Sequence, residues 1–291
     1  MRFAKEPNPV WPLNPPESTL YQGDAAAILS HLPDRLFRCV VTSPPYWGLR
    51  DYGVNGQIGA EEDPNEYIGK LVGVFSQVYR VLAEDGTLWL NLGDSYTSGN
   101  RAYRAPDKKN PIRAMSYRAK TPKGLKPKDL VGIPWRLAFA LQDSGWYLRS
   151  DIIWEKPNAM PESVKDRPTR SHEYIFLFSK SLRYHYDSQA VSESNGRNRR
   201  TVWSIPTEPF PGAHFATFPP SLVEPCIMAS TLPDDWVLDP FFGSGTVGVV
   251  CEAHYRRYVG IEINPEYVEL ARARISNTQR SFLSLHNTIR K

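Results

Sequence analysis

Trp236-Val237-Leu238-Asp239-Pro240-Phe241-Phe242-Gly243-Ser244-Gly245-Thr246 is the stretch that decides the fold. An apolar strand runs into a glycine turn, and Val247 to Glu252 continues as a helix. Glycine lets the backbone approach a ligand closely, and the helix start offers free N–H groups. A second strand follows at Tyr258-Val259-Gly260-Ile261-Glu262-Ile263, ending near an acid, and Asn264-Pro265 caps the next helix. Strand, glycine turn, helix, strand and acid in that order describe nucleotide binding on a doubly wound sheet. The turn lacks the complete GxGxxG pattern, which argues for a single-adenosine ligand over a dinucleotide.

A second stretch, Val40-Val41-Thr42-Ser43-Pro44-Pro45-Tyr46-Trp47, reads as a buried strand stopping in a stiff loop. Pro44 and Pro45 fix φ and remove two donors. Ser43, before a proline, is held extended. The loop carbonyls are not consumed by a continuing helix or ladder, so they are expected to face a ligand. With Tyr46 and Trp47 behind them, they form a grip for a planar ring bearing an amino group. Taken alone, the same residues also read as a strand end with a proline turn.

The remaining chain is compatible with this layout. Its 291 residues suit one large α/β domain or two small ones, and a hydrophobic fraction of 41% supports a real core. Cys39, Cys226 and Cys251 are far apart and form no CxxC pair, which argues against zinc and disulfides and fits a reducing cytosol. The proline-rich N-terminus does not read as a signal peptide, and no apolar run is long enough for a membrane span. Asp63-Pro64-Asn65-Glu66 predicts a capped helix with a capping box, with apolar positions from Tyr67 to Leu82 and an end at Gly86. Arg101 to Lys128 holds ten Lys or Arg and one Asp, without hydrophobic period, although the net charge of the whole chain is only +4. It reads as a solvated surface insertion or as a loop that orders on a polyanion.

The two quoted motifs together resemble the amino-group DNA methyltransferases, which use S-adenosylmethionine. The catalytic loop precedes the cofactor turn, as in the circularly permuted β class. The stretches Trp154-Glu155-Lys156-Pro157-Asn158 and His172-Glu173-Tyr174 are similar to a bacterial and phage branch. The resemblance spans roughly Thr19 to Ser276 and implies a seven-stranded Rossmann-like sheet. Its strands would end near Gly23, Thr42, Leu92, Trp154, Phe178, Leu238 and Ile263. It implies one domain over 1–291, with a catalytic half at 19–180 and a basic insertion at 98–129. A short candidate recognition segment would follow at 181–213, and a cofactor half at 214–276.

By the same resemblance Phe241, Gly243 and Gly245 line the methionine end of the cofactor, with Asp239, Ser244 and Thr246 in the same turn. Glu262 holds the ribose hydroxyls. Asp24 is similar to the acid that contacts the adenine amino group, and it also reads as a helix N-cap, which is compatible. His214 to Pro219 resembles a remaining cofactor motif or is a proline-rich connection. Ser43, Pro44, Pro45 and Tyr46 are the catalytic set. Trp47, Arg50, Arg101, Arg104, Lys108, Lys109, Arg113, Arg118 and Lys120 are candidates for contacting double-stranded DNA.

An exocyclic base amine is a poor nucleophile because its lone pair is delocalised. Ser43 Oγ and the Pro44 carbonyl can accept its two N–H bonds and favour a pyramidal nitrogen. The target base must leave the stack, with Tyr46 as its stacking face. No metal and no covalent enzyme intermediate is required. A hydroxyl at position 43 resembles enzymes acting on cytosine N4, whereas adenine-N6 enzymes more often carry Asp there. RNA or protein-glutamine methylation, or non-catalytic nucleic-acid binding, are the competing functions. The short interval Ser181 to Pro211 leaves the reading of bases to the basic insertion or to the loop after Trp47. The resemblance also implies a monomer or homodimer, without membrane attachment, in the cytoplasm of a bacterial or phage-infected host cell.

Overall fold

The computed structural model describes residues 2–5, 17–48, 56–97, 120–208 and 218–289, with side chains described between residues 17 and 278 of these ranges. Among the described residues nine strands form one sheet: β1 (Arg2–Lys5), β2 (Thr19–Gln22), β3 (Phe37–Thr42), β4 (Leu82–Leu92), β5 (Tyr147–Glu155), β6 (His172–Ser179), β7 (Val202–Ser204), β8 (Trp236–Asp239) and β9 (Arg257–Glu262). Their order is β1-β2-β9-β8-β3-β4-β6-β5-β7. The seven expected strands are all present, and two short strands, β1 and β7, extend the sheet at its edges. β6 runs antiparallel to both β4 and β5, and every other pairing is parallel.

Both faces of the sheet are covered, as a mostly parallel sheet requires. Along β3 and β4 the side chains alternate: Val40, Leu88 and Leu90 join one core, and Cys39, Val41 and Trp89 join the other. The first core packs under α1 (Ala25–Leu29), α2 (Pro64–Val81) and α3 (Ile133–Asp143). The second packs under α4 (Pro220–Ser230), α5 (Thr246–Ala253) and α6 (Pro265–Ile289). The three cysteines are free and buried, and burial pushes the Cys39 thiol up to about 12.

Helix α2 starts as its sequence predicts, with Asp63 accepting the Asn65 N–H at 2.8 Å and Pro64 in the first turn. Two details differ. Glu66 pairs with Lys70 at 3.1 Å, one turn on, and no box is closed on Asp63. The helix also ends at Val81, because Leu82 is extended and pairs with Phe37 of β3. Sheet pairing therefore overrides a helical period that Leu82 would continue.

Two adjacent central strands, β3 and β8, lead in opposite directions. The chain goes from β8 through α5 to β9 on one side, and from β3 through α2 to β4 on the other. A crevice opens at the carboxyl ends of strands where the order reverses. Both motif loops lie there.

Candidate active site

The β3 and β8 strand ends are joined by a buried bond: Thr42 Oγ1 donates to Asp239 Oδ1 at 2.7 Å. The Phe241 N–H donates to the same oxygen at 3.1 Å. Asp239 Oδ2 is buried with no hydrogen-bond partner among the described residues. Burial, only partly offset by these two donors, pushes the Asp239 carboxyl up to about 7.

On the cofactor side, the turn after β8 folds back onto the end of β9. Gly243 N–H donates to Glu262 Oε2 at 2.7 Å, and Asn264 N–H to Oε1 at 2.8 Å. Burial raises the Glu262 pKa above the usual carboxylate value despite these donors. Gly243 has φ +50°, and a Cβ there would meet only the Phe241 carbonyl at 4.0 Å. Its Cα therefore faces open space in the crevice. Asp24 caps α1 by accepting the Ala27 N–H at 2.8 Å, and it lines the same cavity from the end of β2. The Gly23 N–H, bonded to the Glu262 carbonyl at 2.9 Å, ties the β2 and β9 ends together.

On the catalytic side, Ser43 Oγ donates to Asn91 Oδ1 at 3.1 Å and stands 3.4 Å from the Tyr46 hydroxyl. The Tyr46 hydroxyl donates to Glu173 Oε2 at 2.7 Å. Asn91 Nδ2 donates to Glu173 Oε2 at 3.3 Å and to the Tyr174 carbonyl at 3.2 Å. Lys156 Nζ forms an ion pair with Glu173 Oε1 and lies 4.0 Å from the Trp154 ring centroid. Burial raises the Glu173 pKa, but the Lys156 charge and the bonds from Lys156, Tyr46 and Asn91 outweigh it and hold the carboxyl below its ordinary value. The Tyr46 ring lies against Gly93, where a Cβ would stand 2.6 Å from its Cε2. Only glycine admits the ring at that distance.

Ser43, Pro44, Pro45, Tyr46, Asp24, Phe241, Gly243, Ser244, Thr246 and Glu262 all line this one cavity. Asp239 and Gly245 lie behind its wall. A Cβ on Gly245 would stand 2.9 Å from Ala271 of α6, so this glycine serves helix packing and not the cavity lining expected of it. Arg274 of α6 donates to Ser244 Oγ at 3.1 Å and Thr246 Oγ1 at 2.9 Å, which engages both hydroxyls and braces the turn.

Three further expectations change. Trp47 is 4% exposed, packs in the core and donates from Nε1 to the Glu61 carbonyl at 2.9 Å, so it braces its loop and offers no face to DNA. The Pro45 carbonyl is taken by the Tyr67 hydroxyl at 2.8 Å, while no described residue donates to the Pro44 carbonyl. In the candidate recognition segment, Trp203 of β7 is buried beside the sheet edge, opposite Trp154.

Arg50, Arg101, Arg104, Lys108, Lys109, Arg113 and Arg118 lie outside the described residues, as does most of His214 to Pro219. Lys120 is exposed. The stem of the basic insertion is described: Thr97 Oγ1 donates to the Lys126 carbonyl at 2.6 Å, and Val131 N–H to the Ser95 carbonyl at 2.9 Å. It leaves from the carboxyl end of β4, the edge on which the cavity opens.

Sequence reasoning overlooked Asn91, Lys156 and Glu173 as site residues. Their signal was a polar side chain within or at the end of an otherwise apolar strand. That signal gains meaning only when β4, β5 and β6 are known to be neighbours.

Comparisons with known proteins agree with this geometry. The family described as DNA methylase matches residues 37–273. Type II methyltransferase M.Cfr9I of Citrobacter freundii is 63% identical over 278 residues, covering 94% of this chain and 93% of that protein. Type II methyltransferase M.XycI of Xanthomonas campestris pv. cyanopsidis is 65% identical over 272 residues, covering 92% and 91%. Among solved structures, the putative DNA modification methylase TTHA0409 of Thermus thermophilus, complexed with S-adenosyl-L-methionine, aligns with TM-score 0.64 at 26% identity, over 89% of this chain and 93% of that one. The cytosine-N4-specific PvuII DNA methyltransferase shares the fold with TM-score 0.68 at 23% identity, over 92% and 93%. With the glycine turn and the Ser-Pro-Pro-Tyr loop sharing one crevice, the chain belongs to the DNA methylase family, whose members methylate base amino groups with S-adenosylmethionine.

Proposed function

We propose that this protein is a site-specific methyltransferase acting on cytosine N4 of a base flipped out of duplex DNA. The observation that carries the reading is the Ser43 hydroxyl. Its proton is directed at Asn91 Oδ1, which leaves its lone pairs for an incoming amine. Beside it stands the Pro44 carbonyl, to which no described residue donates. Two neutral acceptors at that point match the two N–H bonds of an exocyclic amine. The cofactor side fits its ligand: open space at Gly243, and carboxylates at Glu262 and Asp24 with acceptor capacity left for ribose hydroxyls and an adenine amino group. S-adenosylmethionine supplies an electrophilic methyl group when bound there.

Tyr46, with one side backed by Gly93, is the stacking face for the flipped base, and stacking of this kind is worth ~1–3 kcal/mol. The basic residues between Arg101 and Lys120 hold the DNA backbone, on an insertion that follows the carboxyl end of β4. The relatives named Type II methyltransferase support a role in site-specific modification. Adenine N6 is the second reading, because both amines offer the same N–H pair. Nucleoside mass spectrometry of DNA from expressing cells, with sequencing of the modified sites, tests the proposal. N4-methylcytosine at a defined sequence is the expected result, and N6-methyladenine would overturn the choice of base.

A further inference from the structure

Methylating a neutral amine leaves one proton too many on its nitrogen. As the new C–N bond forms, the methyl–sulfur bond breaks, its electron pair stays on the sulfur, and the amine nitrogen becomes positive. That proton must leave to give the neutral methylamino base. Asn91, the nearest partner of Ser43, is an amide and has no useful basicity. The nearest carboxylate in the network is Glu173, one hydroxyl further on.

We propose that Glu173 is the proton acceptor of the reaction, reached from the amine through the hydroxyls of Ser43 and Tyr46. This rests on the reading of Ser43 as the amine's partner, and it holds for either base. The balance is simple. The amine proton passes to Ser43 Oγ as the Ser43 hydroxyl turns its own proton from Asn91 Oδ1 to the Tyr46 oxygen, and the Tyr46 proton passes to Glu173 Oε2. Ser43 and Tyr46 end as they began, and Glu173 ends protonated. The separations are 3.4 Å from Ser43 Oγ to the Tyr46 hydroxyl and 2.7 Å from there to Glu173. Both hydroxyls and the carboxylate line the cavity.

Lys156 completes the device. Its ion pair with Glu173 keeps the carboxylate ionised and ready to receive a proton. A protonated exocyclic amine is so strong an acid that even a carboxylate of lowered pKa accepts from it. Lys156 also lies over the Trp154 ring, which favours this position of the pair at the cavity wall. A purely structural pair would need no phenol between it and the catalytic serine.

The test uses the full-length enzyme and a duplex carrying its methylation site. Glu173→Gln keeps an acceptor for the Tyr46 hydroxyl but cannot take the proton, and Tyr46→Phe keeps the ring but cuts the path. Each should lower the single-turnover rate by about 10²-fold, the usual contribution of a positioned acid or base. Dissociation constants for DNA and S-adenosylmethionine should stay within about threefold. The double variant should be no slower than the slower single one, because both cut one path. Formate should restore turnover to Glu173→Ala in proportion to its concentration and leave Tyr46→Phe unchanged. Independently of activity, isotope-edited infrared spectra of the ligand-free protein should show Glu173 ionised at neutral pH.

A protonated Glu173 in that spectrum would overturn the proposal, and so would a wild-type rate in Tyr46→Phe. If Glu173→Gln fails to fold, the tyrosine variant and the spectrum still decide. A wild-type enzyme that modifies no DNA amine would instead sink the proposed function.

Discussion

Thr42 and Asp239, 197 residues apart in sequence, share a 2.7 Å hydrogen bond that no solvent reaches. Thr42 is the last residue of β3, before Ser43-Pro44-Pro45-Tyr46. Asp239 is the last residue of β8, before the glycine turn. The bond therefore sets the spacing between the loop proposed to hold the base amine and the loop proposed to hold the methyl donor. Thr42→Val keeps the shape and removes the donor. It should cost about 1–3 kcal/mol, the usual penalty for leaving a buried polar group short of a partner. Urea unfolding of both proteins would measure it, and an unchanged midpoint would mean that the bond is dispensable.

The same carboxyl gives stability a pH dependence of definite sign. Asp239 titrates near 7 in the folded chain against an ordinary value of 3.8, so between these values the folded state holds more protons. Its contribution is full below about pH 4 and is lost as pH rises toward 7. Glu262, also raised by burial, acts in the same direction. Asp239→Asn removes the titration, so its unfolding temperature relative to wild type should rise from about pH 4 to about pH 7 and level off above that. Parallel curves for the two proteins would refute the assignment.

Gly243 and Glu262 should govern cofactor affinity. A side chain at Gly243 has room at its Cβ but projects into the crevice, so Gly243→Trp should fill the site while the protein stays folded. Glu262→Ala frees the Gly243 N–H and removes the proposed ribose acceptor. Titration calorimetry with S-adenosylmethionine should show binding lost in both. Unchanged affinity in both would place the cofactor elsewhere.

Ser43→Ala should slow methyl transfer more than it weakens binding, because the acceptor matters most as the amine rehybridises. Loss of one preorganised hydrogen bond at a reacting centre costs ~10²-fold or more. Single-turnover rates at saturating DNA and cofactor provide the measurement, and a wild-type rate would leave Ser43 as a strand-end residue only.

The basic insertion should carry the salt dependence of DNA binding. Because Lys126 and Asp129 hold its stem, neutralising substitutions are preferable to deletion. Replacing Arg101, Arg104, Lys108, Lys109, Arg113, Arg118 and Lys120 with Gln should flatten log affinity against log salt. Each lost phosphate contact accounts for ~0.9 in the slope, and cofactor affinity should not change. An unaltered slope would show that the insertion lies away from the DNA.

The sequence by itself determined the sheet and the two loops of the site. β-branched and apolar runs are local, proline and glycine restrict the backbone where they stand, and the strand–turn–helix–strand order around Gly243 admits few topologies. Only the tertiary structure decided which polar residues serve the site. Asn91, Lys156 and Glu173 come from three strands or their ends, and whether they meet depends on antiparallel register, with Asn91 opposite Ile175 and Trp154 opposite Glu173. A one-residue slip would turn each of them to the other face. Burial was equally invisible along the chain. Trp47 reads as a face for DNA until Tyr67, Glu61 and the core are seen to enclose its loop, and Gly93 is an ordinary loop glycine until the Tyr46 ring lies against it. Periodicity and turn chemistry are properties of neighbours in sequence, whereas a hydrogen-bond network is a property of neighbours in space.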